Sequence, residues 1–219
     1  MGIAPRAQGA HESEYDRLGV TPTVDDGIRR SATVPWDEST RPHRQASGPE
    51  VVYPPRGRLA GQHLIDVHDA LRTELIELQE ILAKVRDGAM SAGAARGALN
   101  EMALRQNDWA VGAFCARYCS VVTMHHYLED ASVFPHLAQG DAGLAPVIER
   151  LTDEHLVIHD AIQAVDGALV QHINGADDGF ALISAAMDLL ADALLSHLAY
   201  EEQELVEPLA RLGFYGSQL

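Results

Sequence analysis

From residue 59 onward, apolar residues recur at intervals of three and four, and histidines and carboxylates fall on the same period. Leu64, Leu71, Leu75, Leu78 and Leu82 mark one amphipathic helix, ending near Asp87-Gly88. "SAGAARGALNEMA" (91–103) predicts a short helix loosened by Gly93 and Gly97. A long helix follows, from Asp108 as N-cap to about Leu137, and "AQGDAG" breaks the chain after it. A third helix covers roughly 144–171 and ends at "NGADDG"; a fourth covers roughly 179–211 and stops at Gly213. No alternating strand pattern competes. Four long helices with short connections predict an all-α fold, an antiparallel up-down four-helix bundle over residues 59–219.

Residues 1–58 belong to a different regime. They hold seven of the ten prolines and show no helical or strand period, with "RPHRQASGPE" as a loop signal. This predicts an extended or disordered N-terminal arm; the alternative is an arm that Trp36, Val51, Val52 and Tyr53 pin across the bundle. The net charge of −16 is also divided unevenly. The arm has eight Arg against eight acids, and the remainder has eight basic against 24 acidic residues. Such a body repels phosphate backbones, which argues against nucleic acid and against an anionic membrane surface as partners. Cys115 and Cys119 lie at i, i+4, poorly placed for a disulfide, and no CxxC occurs. With no signal-like apolar region at the start and no run of about 18 apolar residues, the expectation is a cytoplasmic chain that does not enter a membrane.

The second half repeats the first. "HHYLEDASVFPHL" from His125 aligns with "HLAYEEQELVEPL" from His197 as H-x3-E-acid-x2-aliphatic. "DVHDALRTEL" (66–75) and "DEHLVIHDAI" (153–162) share D-x-H followed by a helical apolar run. Three pairs lie at i, i+4, about 40° apart on one helix face: His125 with Glu129, His155 with His159, and His197 with Glu201. His68 sits on the leucine-lined face of the first helix. A lone histidine on such a face is usually a hydrogen-bonded core residue, and one H-x3-E is a common helix pair. Five His and two Glu turned inward on four helices are different, because burying them costs several kcal/mol apiece without compensation. A pair of transition-metal ions supplies that compensation most economically.

Taken together, "IDVHDAL", "HHYLEDASVFPHL", "EHLVIHD" and "HLAYEEQELVEPL" resemble the haemerythrin-like, HHE cation-binding family of four-helix bundles, over roughly residues 60–212. The resemblance implies two iron ions joined by an oxo or hydroxo bridge, although ligand type alone also admits manganese or zinc. It implies His155, His159 and His197 on one ion, His68 and His125 on the other, and Glu129 and Glu201 bridging both. Glu202 stands at the spacing used by the oxygen-carrying haemerythrins; Glu201 is preferred because i+4 keeps it on the face of His197. Position 159 aligns with Arg72 in the repeat, so the two ions are expected to be unequal, with an open position on the one that has two His.

Tyr118, two turns before His125 on the same face, is the candidate catalytic side chain; its plainer reading is a core aromatic. His126 and Asp130 point about 100° from the metal face and are expected outside the ligand set, with His126 an auxiliary ligand at most. The implied function is a di-iron oxidoreductase acting on dioxygen or peroxide, with catalase-like peroxide removal first in line. The alternative is a module that binds or senses oxygen, nitric oxide or iron without turnover, its arm contacting a protein partner.

Overall fold

The computed structural model describes residues 14–86, 111–173 and 179–214. The predicted helix within 91–103, the Asp108 cap, the break at Asp87-Gly88 and residues 174–178 of "NGADDG" lie outside these residues. The helices are α1 (Pro55–Arg86), α2 (Val111–Leu128), α3 (Phe134–Gly140), α4 (Ala145–Ile173) and α5 (Gly179–Leu212). No strand occurs among the described residues. Pro55 opens α1, where its fixed φ suits the first turn and its missing N–H costs nothing.

Between α2 and α3 the chain makes a π-helical turn, Glu129–Val133, so the two run on as one interrupted rod. The Phe134 N–H reaches back five residues to the Glu129 carbonyl. The wider turn shifts the helix phase: Glu129 and Phe134, five apart, are both buried. Pro135 then falls in the first turn of α3, where it breaks no hydrogen bond. The helix continues through Phe134-Pro135 to Gly140, just past the expected end near Leu137.

Helix α5 is central. It packs most extensively against α4 and α1, and nearly every side chain from Leu190 to Ala210 is buried. By length and composition α5 qualifies as a membrane span, with a mean hydropathy of 1.6 over its most apolar stretch. Half of that stretch is buried inside the protein, as in a core helix, and Ser184, Asp188, Asp192 and Ser196 still interrupt its apolar residues. The approach of α1 to α5 depends on Gly57 and Gly61, because a Cβ at either would collide with the carbonyl oxygen of Ala210 or of Val206.

The third cover on α5 is residues 14–54, which run along it as an extended strap after a helical turn at 14–18. The Arg30 and Ser31 N–H groups donate to Asp192 at 2.8 and 2.7 Å. The Arg44 N–H and the His43 ring meet Glu204 at 2.8 and 2.7 Å, and Ser47 donates to Glu207 at 2.7 Å. The Tyr15 hydroxyl donates to the Gln203 carbonyl, and Tyr200 to that of Pro42 at 2.7 Å. Tyr15, Leu18, Val20 and Tyr53 are buried in the core, and Trp36 packs against it; Val52 stays exposed.

The core forms two apolar layers. One contains Leu71, Leu75, Tyr118, Val122, Ile158, Leu194 and Leu198; the other contains Leu64, Ile65, Phe134, Leu151, Tyr200, Leu205 and the strap residues. Along each long helix a polar position separates the layers: His68 between Ile65 and Leu71, His155 between Leu151 and Ile158, Glu201 between Leu198 and Leu205.

Candidate metal centre

That polar position becomes a closed layer of imidazoles and carboxylates. Helix α1 contributes His68, and α2 contributes His125 and His126. The π turn adds Glu129, α4 adds His155, and α5 adds His197 and Glu201. They form two groups, His126–His155–His197 and His68–His125–Glu129–Glu201, whose candidate ligand atoms lie within 4.8 Å of one another. The Nε2 atoms of His68 and His125 stand 3.1 Å apart, close to the roughly 3.0 Å that separates adjacent ligands with bonds of about 2.1 Å to one ion.

Each glutamate reaches both groups. Glu129 lies 3.2 Å from His125 Nε2 through Oε1, and 3.6 Å from His155 Nε2 through Oε2. Glu201 Oε2 lies 3.5 Å from His68 Nε2 and 3.6 Å from His197 Nε2. The Nε2 atoms of His126, His155 and His197, Oε2 of Glu129 and both oxygens of Glu201 are buried without a hydrogen-bond partner. Six orphaned polar atoms aimed at one place are costly unless cations fill it, so the donor set fits divalent metal ions.

The opposite ring nitrogens are fixed by carboxylates. His68 Nδ1 donates to Glu202 at 3.0 Å, His155 Nδ1 to Asp130 at 3.0 Å, and His197 Nδ1 to Glu154 at 3.1 Å. Each contact selects the tautomer that leaves Nε2 as a lone pair facing the centre. Glu202 is anchored in turn by Arg72 at 2.7 Å and by the Thr23 N–H at 2.7 Å. Glu154 is anchored by Arg41 at 2.8 and 2.9 Å and by Arg150 at 2.8 Å.

The electrostatics agree. Burial, reinforced by the neighbouring imidazoles, pushes His125 and His126 well below the ordinary histidine value, so both are neutral. Burial also lowers His197, although Glu154 opposes it. Burial beside Glu201 raises Glu129 well above the carboxylate range. Burial would raise Glu154 too, but the His197 and Arg41 hydrogen bonds outweigh it and hold the group at about 2.

Six of the seven predicted ligands come together: His68, His125, Glu129, His155, His197 and Glu201. His159 does not. The buried face of α4 runs through Leu151, Ile158 and Ile162, with His155 at its edge; His159, about 40° further out, is exposed. It lines a cleft of about 560 Å³ with Cys119, Thr123 and Tyr127. His126 occupies the inner place instead, stacked on His155 with ring centroids 4.0 Å apart. Its only sequence signal is adjacency to His125.

Tyr118 is buried in the apolar layer and donates to the Leu71 carbonyl at 3.2 Å, and burial raises its hydroxyl far above the ordinary value. Arg72 pairs with Glu202, not with either glutamate of the cluster. A second cleft of about 560 Å³ runs between α1 and α2. Leu64, Val67, Met124 and Leu128 line it, and it reaches His125 and Glu129.

A helical bundle enclosing a layer of histidines and glutamates whose ligand atoms converge on its centre belongs among cation-binding helical proteins. The chain matches the Hemerythrin HHE cation binding domain family over residues 60–209, and it belongs to that family. No curated protein and no solved structure matches it.

Proposed function

We propose that the chain is a non-haem di-iron protein that binds or reacts with dioxygen or peroxide, built on an antiparallel up-down order of its four long helical segments. The convergence of six unpartnered buried ligand atoms on one layer carries this reading. His126, His155 and His197 would hold one ion, His68 and His125 the other, and Glu129 and Glu201 would bridge them. Bound iron would supply electrons to, or take them from, an O–O bond, which no side chain here can do alone.

The residues of the chain determine the rest. Glu202, Asp130 and Glu154 orient three imidazoles, so the ligand lone pairs are arranged before any ion arrives. The two apolar layers keep water from approaching along the bundle axis. The cleft between α1 and α2 ends at His125, the least buried imidazole of the cluster, and admits a small molecule on the two-histidine side.

Metal analysis combined with an oxygen-electrode trace tests this directly. Two irons per chain, with peroxide turnover abolished by His155→Ala, are expected of an oxidoreductase. A chain that takes up no iron, or only a single zinc, sinks the reading.

A second reading is a sensing module without turnover, in which the arm reports the state of the centre to a protein partner. It is favoured by strap contacts to both Glu154 and Glu202. Stoichiometric oxygen uptake without turnover would select it. A cytoplasmic location accords with either reading.

A further inference from the structure

Most strap contacts end on α5 acids that touch no imidazole of the cluster, namely Asp192, Glu204 and Glu207. Two do not. The Thr23 N–H donates to Glu202 Oε2 at 2.7 Å, while Oε1 of the same carboxylate accepts from His68 at 3.0 Å. Arg41 donates through Nε and a terminal nitrogen to the two oxygens of Glu154 at 2.8 and 2.9 Å, and Glu154 Oε2 accepts from His197 at 3.1 Å.

The Arg41 contact is built for orientation. A two-pronged guanidinium–carboxylate pair fixes the carboxylate plane, which a single charge does not. Its side chain is 7% exposed and that of Glu154 is 2% exposed, so water does not loosen the pair. The guanidinium carbon also lies 4.5 Å from the Tyr200 ring centroid and 5.3 Å from that of Trp36. Arg150, one turn before Glu154 on α4, already supplies a neutralising charge at 2.8 Å. What Arg41 adds is therefore geometry, and it adds it from the strap.

We propose that Arg41 is a positioning residue for the His126–His155–His197 half of the centre, acting through Glu154. Through Arg41 and Thr23, metal loading and docking of residues 14–54 are coupled. The inference rests on the metal-binding reading above. If an ordered strap raises metal affinity, bound metal strengthens strap docking by the same factor.

The full-length chain and its Arg41→Ala, Arg41→Lys and Ser47→Ala variants are titrated with ferrous ion against a coloured chelator in the absence of oxygen. Limited proteolysis within residues 14–54 is followed with and without the ion. The expected result is a roughly 10–100-fold weaker affinity in Arg41→Ala, partial recovery in Arg41→Lys, and no change in Ser47→Ala, which loses a strap contact remote from the imidazoles. Ferrous ion should slow strap cleavage in the natural chain, and this protection should disappear in Arg41→Ala. Equal affinities in Arg41→Ala and the natural chain overturn the proposal, as does equal weakening in Arg41→Ala and Ser47→Ala. If Arg41→Ala does not fold, Arg41→Lys carries the test: weaker affinity at an unchanged thermal midpoint supports coupling, and unchanged affinity overturns it. Failure of the natural chain to bind ferrous ion would instead refute the metal-binding reading itself.

Discussion

Glu202 accepts the Nδ1–H of His68 across 3.0 Å, joining α5 to α1 behind the metal-facing side of the ring. Asp130 does the same for His155 at 3.0 Å. Both acids directly follow the glutamate of an H-x3-E pair, and both histidines belong to a D-x-H segment. The sequence repeat is therefore a contact rule: each H-x3-E-acid helix supplies an inward histidine and glutamate, and its next acid orients a histidine on another helix. The two halves differ in burial. Glu202 is fully enclosed, whereas 39% of the Asp130 side chain is exposed.

Removing Glu202 should therefore cost more than removing Asp130. Glu202→Ala is expected to weaken metal binding by about 10–100-fold and to leave Arg72 without its closest acid. Asp130→Ala should weaken binding less, since water can replace an exposed acceptor. Glu201→Ala should instead change the number of ions held. Equilibrium competition with a chelator, together with metal counting, separates affinity from stoichiometry. Equal losses for Glu202→Ala and Asp130→Ala would refute the role of burial.

His126 and His159 make opposite predictions. His126→Ala removes an inward Nε2 and should reduce metal occupancy of the three-histidine group. His159→Ala alters an exposed cleft residue and should leave two ions per chain. Elemental analysis of the two purified variants decides between the inner places. Loss of metal in His159→Ala with retention in His126→Ala would restore the i, i+4 assignment on α4.

The histidine–glutamate pairs are legible in the sequence because the helical period places i and i+4 on one face, and the apolar neighbours show which face is inside. That rule cannot rank His126, about 100° from His125, because the inward arc is wide enough to hold both. On α4 the same rule includes His159, although the buried face is centred on Ile158 and Ile162 and ends at His155. The strap has no period, and its partners are far away in sequence; Arg41 and Glu154 are 113 positions apart. The traces it leaves are its apolar residues, of which Tyr53 is buried and Trp36 packs on the core, and its arginines set against an acidic remainder.

Gly57 and Gly167 separate close packing from helix propensity. A Cβ on Gly57 would overlap the Ala210 carbonyl, a backbone group that cannot rotate away, whereas one on Gly167 meets nothing within 4 Å. Gly57→Ala should therefore destabilise by about 1–3 kcal/mol as α1 is pushed off α5, despite the propensity gain. Gly167→Ala should stabilise by about 0.4–1 kcal/mol. Chemical denaturation of both variants checks the signs, and a stabilised Gly57→Ala would disprove the close approach of the helices.

The contact of His43 with Glu204 links the strap to pH. The hydrogen bond that the His43 ring donates to Glu204, with the charge of that carboxylate, raises the His43 pKa above the ordinary value of 6.5, with partial burial and Arg41 opposing. For a base raised on folding, the stabilisation is full below the unfolded value and is lost as pH rises through the higher folded value. The pair should thus hold the strap most firmly below about pH 6.5 and release it progressively above that. Comparing thermal midpoints of the natural chain and His43→Gln, the gap should be widest near pH 6 and narrow toward about pH 8. A gap that stays constant, or widens with pH, would show that the ring contributes through packing against Tyr200, 6.2 Å away between centroids, and not through its charge.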